Sequence, residues 1–256
     1  MNRSRFPATT TVMVMAFFYL PILLLVANSF NRSRFGVTWT GFTFDWYRRL
    51  IEREDILAAL GRSLTVATVA ACGSMLLGSA AAFALHRYRS RIQSVHRGLI
   101  YIPLVLPEVL MGMSLLSFFV AIGQQLSLLT IMMAHLTFCI SYVALVVIAR
   151  LQDFDESLID ASRDLGATRF QTFVRITLPL VAPGILAGGL LAFTLSIDDF
   201  VVTSFVSGAG TDTLPVKIAG MMKLSRDLPV INALSSLLLI LTFAVVWTSQ
   251  RLLAKK

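Results

Sequence analysis

Residues 109–149 read VLMGMSLLSFFVAIGQQLSLLTIMMAHLTFCISYVALVVIA, 41 residues without one Asp, Glu, Lys or Arg. A helix of about 20 apolar residues crosses a bilayer, so this run holds two crossings. Gly123-Gln124-Gln125 is the polar break at which a very short turn joins them. Outward from it, Phe6 to Asn31, Ser63 to His86 and Leu228 to Gln250 are equally free of these charges. Spans are expected near 10–30, 63–85, 99–122, 127–149, 181–206 and 233–252. The fold class is therefore all-α integral membrane, with six transmembrane helices and both termini on one side.

Composition agrees. Of the 256 residues, 56% are apolar and 14% charged, against about a quarter charged in an ordinary soluble domain. Mean hydropathy is +0.77. Disorder and disulfide-stapled or collagen-like folds are excluded. The net charge of +8 raises a nucleic-acid reading, but the basic residues sit in short blocks beside apolar runs, where they set topology. Cys72 and Cys139 lie inside apolar runs without CxxC spacing, so packing is their expected role and no metal is expected.

Termini on the cytoplasmic side place thirteen of the 22 basic residues inside: Arg3, Arg5, Arg87, Arg89, Arg91, Arg97, Arg150, Arg163, Arg169, Arg175, Arg251, Lys255 and Lys256. Most of the outside excess is six Arg in residues 31–62. Arg3 and Arg5 before the first span look like a signal peptide, but the apolar run is too long and Ala27-Asn28-Ser29 is a poor cleavage site. An uncleaved first helix is expected. The chain divides into 1–60 (first helix and external loop), 61–250 (a core of five helices) and 251–256 (cytoplasmic tail).

Residues 150–180 form the longest inside loop. Asp155 is placed to cap a helix through Leu165, with Glu156 in its first turn. Gly166 supplies a left-handed position, and Thr168 caps a second short helix with Phe170, Phe173 and Val174, ahead of Leu178-Pro179. Leu158, Ala161, Leu165 and Phe170 would make a compact knob. An interfacial helix pair on lipid is the plainer alternative. Five acids (Asp153, Asp155, Glu156, Asp160 and Asp164) argue instead for a protein partner.

Asp160-Ala161-Ser162, three residues, Gly166, nine residues, then Ile176-Thr177-Leu178-Pro179 resembles the EAA loop of ABC importer permeases. The family pattern has Glu for Asp160 and Ala for Ser162, both conservative departures. The resemblance implies the type I ABC importer permease fold, with the coupling loop at 156–179 docking on an ATP-hydrolysing subunit. Leu158, Asp160, Ala161, Ser162, Leu165, Gly166 and Phe170 are then the docking residues. A P-loop needs GxxxxGK[ST]; the first Lys here is Lys217, and no Gly-Lys pair occurs. The chain is thus expected to be no enzyme and to bind no cofactor, with ATP and magnesium used by the partner.

Glu108, His135, Asp198 and Asp199 lie at membrane depth. A carboxylate near the bilayer centre costs about 2.5–3.5 kcal/mol on insertion scales, so three of them suggest a function. Glu108 lies roughly 15 Å along an outward-running helix and Asp198 roughly 22 Å along its own, which places them at different depths. Adjacent helical residues point about 100° apart, so one of Asp198 and Asp199 is expected to line a path while a hydroxyl or neighbouring helix holds the other. Pro103 and Pro107 should disrupt the third span just before Glu108. A simple proline kink with a structural Glu108 is the alternative, as an interhelix bond or a hinge near the external mouth is for the aspartates. His135 reads as a satisfied buried histidine.

Carboxylates without intramembrane Lys or Arg favour a cation. Trp46 and Tyr19 are candidate cation–π selectors, worth about 0.5–2 kcal/mol with an ammonium. For Phe44 and Tyr47 an interfacial aromatic belt is preferred.

Beyond the loop, nearly the full chain is similar to the PotC-type permeases of spermidine/putrescine importers. The similar stretches are Ser29-Phe30-Asn31-Arg32-Ser33-Arg34-Phe35-Gly36, Gly41-Phe42-Thr43 with Trp46-Tyr47, His135-Leu136-Thr137-Phe138-Cys139 and Asp164-Leu165-Gly166-Ala167. They continue in Phe193-Thr194-Leu195-Ser196-Ile197-Asp198-Asp199, Ser204-Phe205-Val206-Ser207-Gly208, Leu214-Pro215 and Asn232-Ala233-Leu234. That resemblance implies a polyamine importer of the bacterial inner membrane. It also implies a related second permease, two ATPase copies and a periplasmic polyamine-binding protein as partners, with no nucleic acid. Another small organic cation as cargo, an ion-coupled carrier in which Glu108 and Asp198 titrate, and a sensory protein remain as rivals. The Asp160-to-Pro179 pattern argues against the carrier.

Overall fold

The computed structural model describes residues 6–34, 38–88, 91–224 and 228–253. Arg3, Arg5, Phe35, Gly36, Arg89, Lys255 and Lys256, used above for topology or resemblance, lie outside the described residues. The helices are α1 (Phe6–Ser29), α2 (Asp45–Ile51), α3 (Glu54–Arg87), α4 (Gln93–Val105), α5 (Glu108–Ala121), α6 (Leu128–Gln152), α7 (Ser157–Asp164), α8 (Arg169–Thr172), α9 (Leu178–Asp198), α10 (Val201–Val206), α11 (Leu214–Leu224) and α12 (Leu228–Leu253). Four stretches are long and apolar enough to cross a membrane: Thr9–Ser29, α3, α6 and the continuous Arg169–Asp198. The bent pair of α4 and α5 makes up to five.

The disruption expected just before Glu108 is present, and one further expectation changes. The third span is not one helix: α4 and α5 meet at 113°. Proline disfavours the helical region for the residue before it, and Leu106 before Pro107 is extended (φ −64°, ψ 132°). Pro103 stays inside α4. The span expected at 181–206 also breaks. Asp199 is extended (ψ 122°), and its carboxylate accepts the amides of Val202 and Thr203 at 3.3 and 2.8 Å. It thereby ends α9 and caps α10.

The chain forms two compact units, Met1–Leu57 with Lys217–Lys256, and Ala58–Val216. In the second, α6 carries the core. Ile131, Ala134, Cys139, Val143, Ala144 and Val147 are fully buried, and α9 packs along α6. Gly188 allows that approach, since a Cβ there would stand 3.2 Å from Val143 Cα. Small residues let apolar helices pack closely where lipid removes the hydrophobic drive between them. Cys139 packs with its Sγ 3.6 Å from the Ala192 carbonyl oxygen.

In the first unit α1 and α2 pack on α12. Asn31, almost fully buried, organises the loop between α1 and α2. Its amide donates to the Thr38 carbonyl, and its Oδ1 accepts the amides of Ser33 and Thr40. Tyr47 Oη lies 2.6 Å from Ser29 Oγ and 3.3 Å from Ser236 Oγ.

The 150–180 loop follows its sequence closely up to one point. Asp155 Oδ1 accepts the Ser157 amide at 2.9 Å, and the Ser157 hydroxyl and amide hold that carboxyl below its ordinary value. Gly166 takes φ +84°, where a side chain would strain the backbone. Thr168 Oγ1 accepts the Gln171 amide while Gln171 Oε1 accepts the Thr168 amide, a complete capping box. The second helix is not separate, however. A π-turn over Phe173–Thr177 joins α8 to α9, so helix runs unbroken from Arg169 to Asp198. Pro179 has no N–H for the Arg175 carbonyl, and the wider turn lies just before it.

Candidate functional site

Both helix breaks open onto one cavity of about 500 Å³ in the second unit. Glu108 enters it as the first residue of α5 after the Pro107 bend, and Asp198 as the last residue of α9. Counting residues along straight helices put these two carboxylates at different depths. In the structure both line the same space. Asp199 lines it too, but its oxygens are occupied. Beyond the two α10 amides, Oδ2 accepts the Thr203 hydroxyl at 2.7 Å and lies 3.3 Å from His135 Nε2. Asp198 makes no hydrogen bond or ion pair among the described residues and is exposed. One aspartate is free and its neighbour is held.

His135 is fully buried, with Nδ1 2.7 Å from Ser196 Oγ and Nε2 2.9 Å from Thr203 Oγ1. Ser196 and Thr203, which sequence reasoning did not select, stand three residues before and four after Asp199. That helical spacing around an acid was the available signal. Phe138, Tyr142 and Phe200 also line the cavity, whereas among the described residues no Lys or Arg does. Four-residue spacing on α6 puts Phe138 and Tyr142 on one face.

Trp46 and Tyr19 belong to the other unit. The Trp46 indole is 7% exposed, its Nε1 donates to the Asn31 carbonyl at 2.8 Å, and the Arg49 guanidinium sits over the ring at 5.0 Å. Its N–H is used and its face already meets a cation. Tyr19 is exposed on α1. Phe30, Phe42, Phe44 and Tyr47 form an aromatic cluster with centroids about 5–6 Å apart.

On the 150–180 loop, Leu165 is 90% and Phe170 75% exposed, with Leu158, Asp160, Ala161 and Gly166 also exposed. These exposed apolar groups sit on a short, internally capped loop. Ser162 differs: it is buried, donates to the Ile159 carbonyl and lies 2.8 Å from Thr172 Oγ1. It ties α7 to α8 and offers its hydroxyl to no partner.

Comparison with known proteins agrees with these features. Residues 74–256 match the family described as binding-protein-dependent transport system inner membrane component. The chain is 42% identical over 237 residues, 93% of its length and 89% of the relative, to the spermidine/putrescine transport system permease protein PotC of Escherichia coli (strain K12). It is 44% identical over 230 residues, 87% of its length and 82% of the relative, to the putrescine transport system permease protein PotI of the same strain. Its fold matches a crystal structure of a bacterial ABC transporter involved in the import of the acidic polysaccharide alginate, with TM-score 0.74, 15% identity and 98% of each chain covered. An ATPase and a binding protein are the partners that such a component requires. The chain belongs to the binding-protein-dependent transport system inner membrane components, as a multi-pass inner-membrane permease of an ABC importer.

Proposed function

We propose that this permease moves polyamines, spermidine or putrescine, across the inner membrane by ATP-driven alternating access. The observation that carries this reading is the cavity where Glu108 and the unpaired Asp198 meet Phe138, Tyr142 and Phe200 without a basic group. Carboxylates satisfy ammonium groups, aromatic faces add cation–π attraction, and the methylenes between the charges pack on the apolar wall. Its 42% and 44% identical relatives carry spermidine/putrescine and putrescine in their names.

In this reading the chain spans the membrane six times with both termini cytoplasmic. Residues 1–60 form the first helix and external loop, 61–250 the five-helix core and 251–256 the tail. A related second permease completes the path, and two ATPase copies bind below it. Leu158, Asp160, Ala161, Leu165, Gly166 and Phe170 meet an ATPase, while Ser162 shapes the knob from within. Asp198 and Glu108 hold the cargo, and Asp199 sets the break that presents Asp198. Trp46 supports the external loop through Asn31, and Tyr19 faces lipid or the second permease. The carboxylates must hold cation more tightly in the outward state, since a ligand shifts an equilibrium only by differential affinity.

The test is uptake of labelled spermidine and putrescine by proteoliposomes holding the full complex with its binding protein. ATP-dependent accumulation of either is expected. Accumulation that persists without an ATPase subunit would overturn the importer reading, and uptake of neither polyamine would overturn the cargo.

A further inference from the structure

A second cavity, of about 450 Å³, lies behind the docking knob in the second unit. Arg163, in the last turn of α7, lines it, and its Nε is buried without a hydrogen-bond partner. Buried guanidinium N–H groups are rarely left without an acceptor. Arg87, at the end of α3, and Arg169, at the start of α8, line the same space, so three helices each contribute a guanidinium. Among the described residues the single acid in the lining is Glu156, whose Oε1 lies 3.4 Å from His86 Nε2. The remaining wall is largely apolar, with Phe83 and Phe173 edge to face at 5.3 Å. The π-turn borders it through Phe173 and Thr177.

We infer that this cavity binds a phosphate ester. Three guanidinium groups present several N–H forks, which suit the multiple oxygens of a phosphate better than the two of a carboxylate. The excess of about two positive charges matches the roughly −1.5 to −2 of a phosphate monoester and more than covers the single negative charge of a diester. The volume exceeds a bare phosphate, and the Phe83–Phe173 wall takes the organic part. A membrane phosphodiester headgroup and a soluble phosphate monoester share this chemistry. In either case the ligand ties Arg163 and Arg169 of the knob to Arg87 of α3, so its occupancy controls how freely the knob moves. Only that regulatory consequence rests on the docking role proposed above.

The test uses the assembled complex in nanodiscs. Phosphatidylglycerol in a phosphatidylcholine bilayer is the lipid probe, followed by native mass spectrometry, and AMP is the soluble probe, followed by calorimetry. Wild-type complex should retain one of them, and Arg163→Gln, Arg169→Gln and Arg87→Gln should each lower that retention about tenfold or more. Arg87 is exposed and on a different helix, so its variant holds the test if Arg163→Gln assembles poorly. Retention of phosphatidylglycerol alone identifies a headgroup site, and of AMP alone a soluble ester site. Binding of neither, or binding indifferent to all three substitutions, overturns the inference. So does an ATPase carboxylate found against Arg163 in the assembled complex. No transport is measured, so failure here leaves the cargo reading untouched.

Discussion

Asp198 and Asp199 are adjacent and chemically identical, and the geometry requires their substitutions to fail in different ways. Removing the Asp199 carboxylate by Asp199→Ala orphans the amides of Val202 and Thr203, whose residues are 1% and 0% exposed. Each buried donor left unpaired costs about 1–3 kcal/mol, so the two together should cost about 2–6 kcal/mol. His135 and Thr203 keep each other at 2.9 Å, which limits the damage to the α10 cap. At about 2–4 °C per kcal/mol for a chain of this size, melting should fall by roughly 4–24 °C. Asp198→Asn disturbs no hydrogen bond and should change stability by about 0.5 kcal/mol or less. It should still lower polyamine uptake by one to two orders of magnitude, since a contact to a charged group is worth about 1.5–3 kcal/mol. The assay pairs melting of the purified complex with labelled spermidine uptake normalised to its abundance. Wild-type melting of Asp199→Ala would refute the capping role, and normal normalised uptake by Asp198→Asn would refute the path.

Glu108→Gln should lower normalised uptake in the same way while the complex melts as wild type; normal uptake would remove Glu108 from the path. Leu165→Glu and Phe170→Ala alter exposed side chains, so stability should hold within about 0.5 kcal/mol while the ATPase no longer co-purifies. Co-purification at wild-type yield would place docking elsewhere. Gly208→Ala should cost about 1–3 kcal/mol in melting, because its Cβ would collide with the backbone oxygen of Leu126; unchanged melting would show that this contact relaxes freely. The Asp155 carboxyl titrates below its ordinary value, so its cap is fully present above about pH 4 and weakens as acid protonates it. Proteolysis of the 150–180 loop should accelerate in that acid window, and Asp155→Ala should abolish the acceleration; persistence in the variant would assign it to another group.

Local chemistry in the sequence was readable wherever one residue's own hydrogen bonds set the backbone. Gly166, Thr168 with Gln171, and Asp155 announced the knob because caps and left-handed turns depend on near neighbours. The break at Pro107 was readable for the same reason. The break at Asp199 was not, because it takes the coincidence of Asp199, Thr203 and a histidine 64 positions earlier. Hydropathy blurred it further, since 181–206 stays apolar on both sides. That Glu108 and Asp198 line one cavity was not legible either, because it depends on how the two helix breaks pack together. Ser162 was grouped with the docking face because its motif position belongs to that loop, while burial against Thr172 depends on how α7 meets α8.

The unbroken helix from Arg169 to Asp198 is mechanically a lever. Its 30 residues span about 45 Å, so a tilt of about 5° about the Phe170 end sweeps the Asp198 end by about 4 Å. That sweep exceeds the length of a hydrogen bond. It arrives where the helix stops, at a hinge held by one carboxylate clasping the next helix. If Asp198 holds cargo and the loop docks on an ATPase, as proposed, a small swing at the Phe170 end would be enough to withdraw Asp198 from an ammonium group, without any relay of side chains between the two ends.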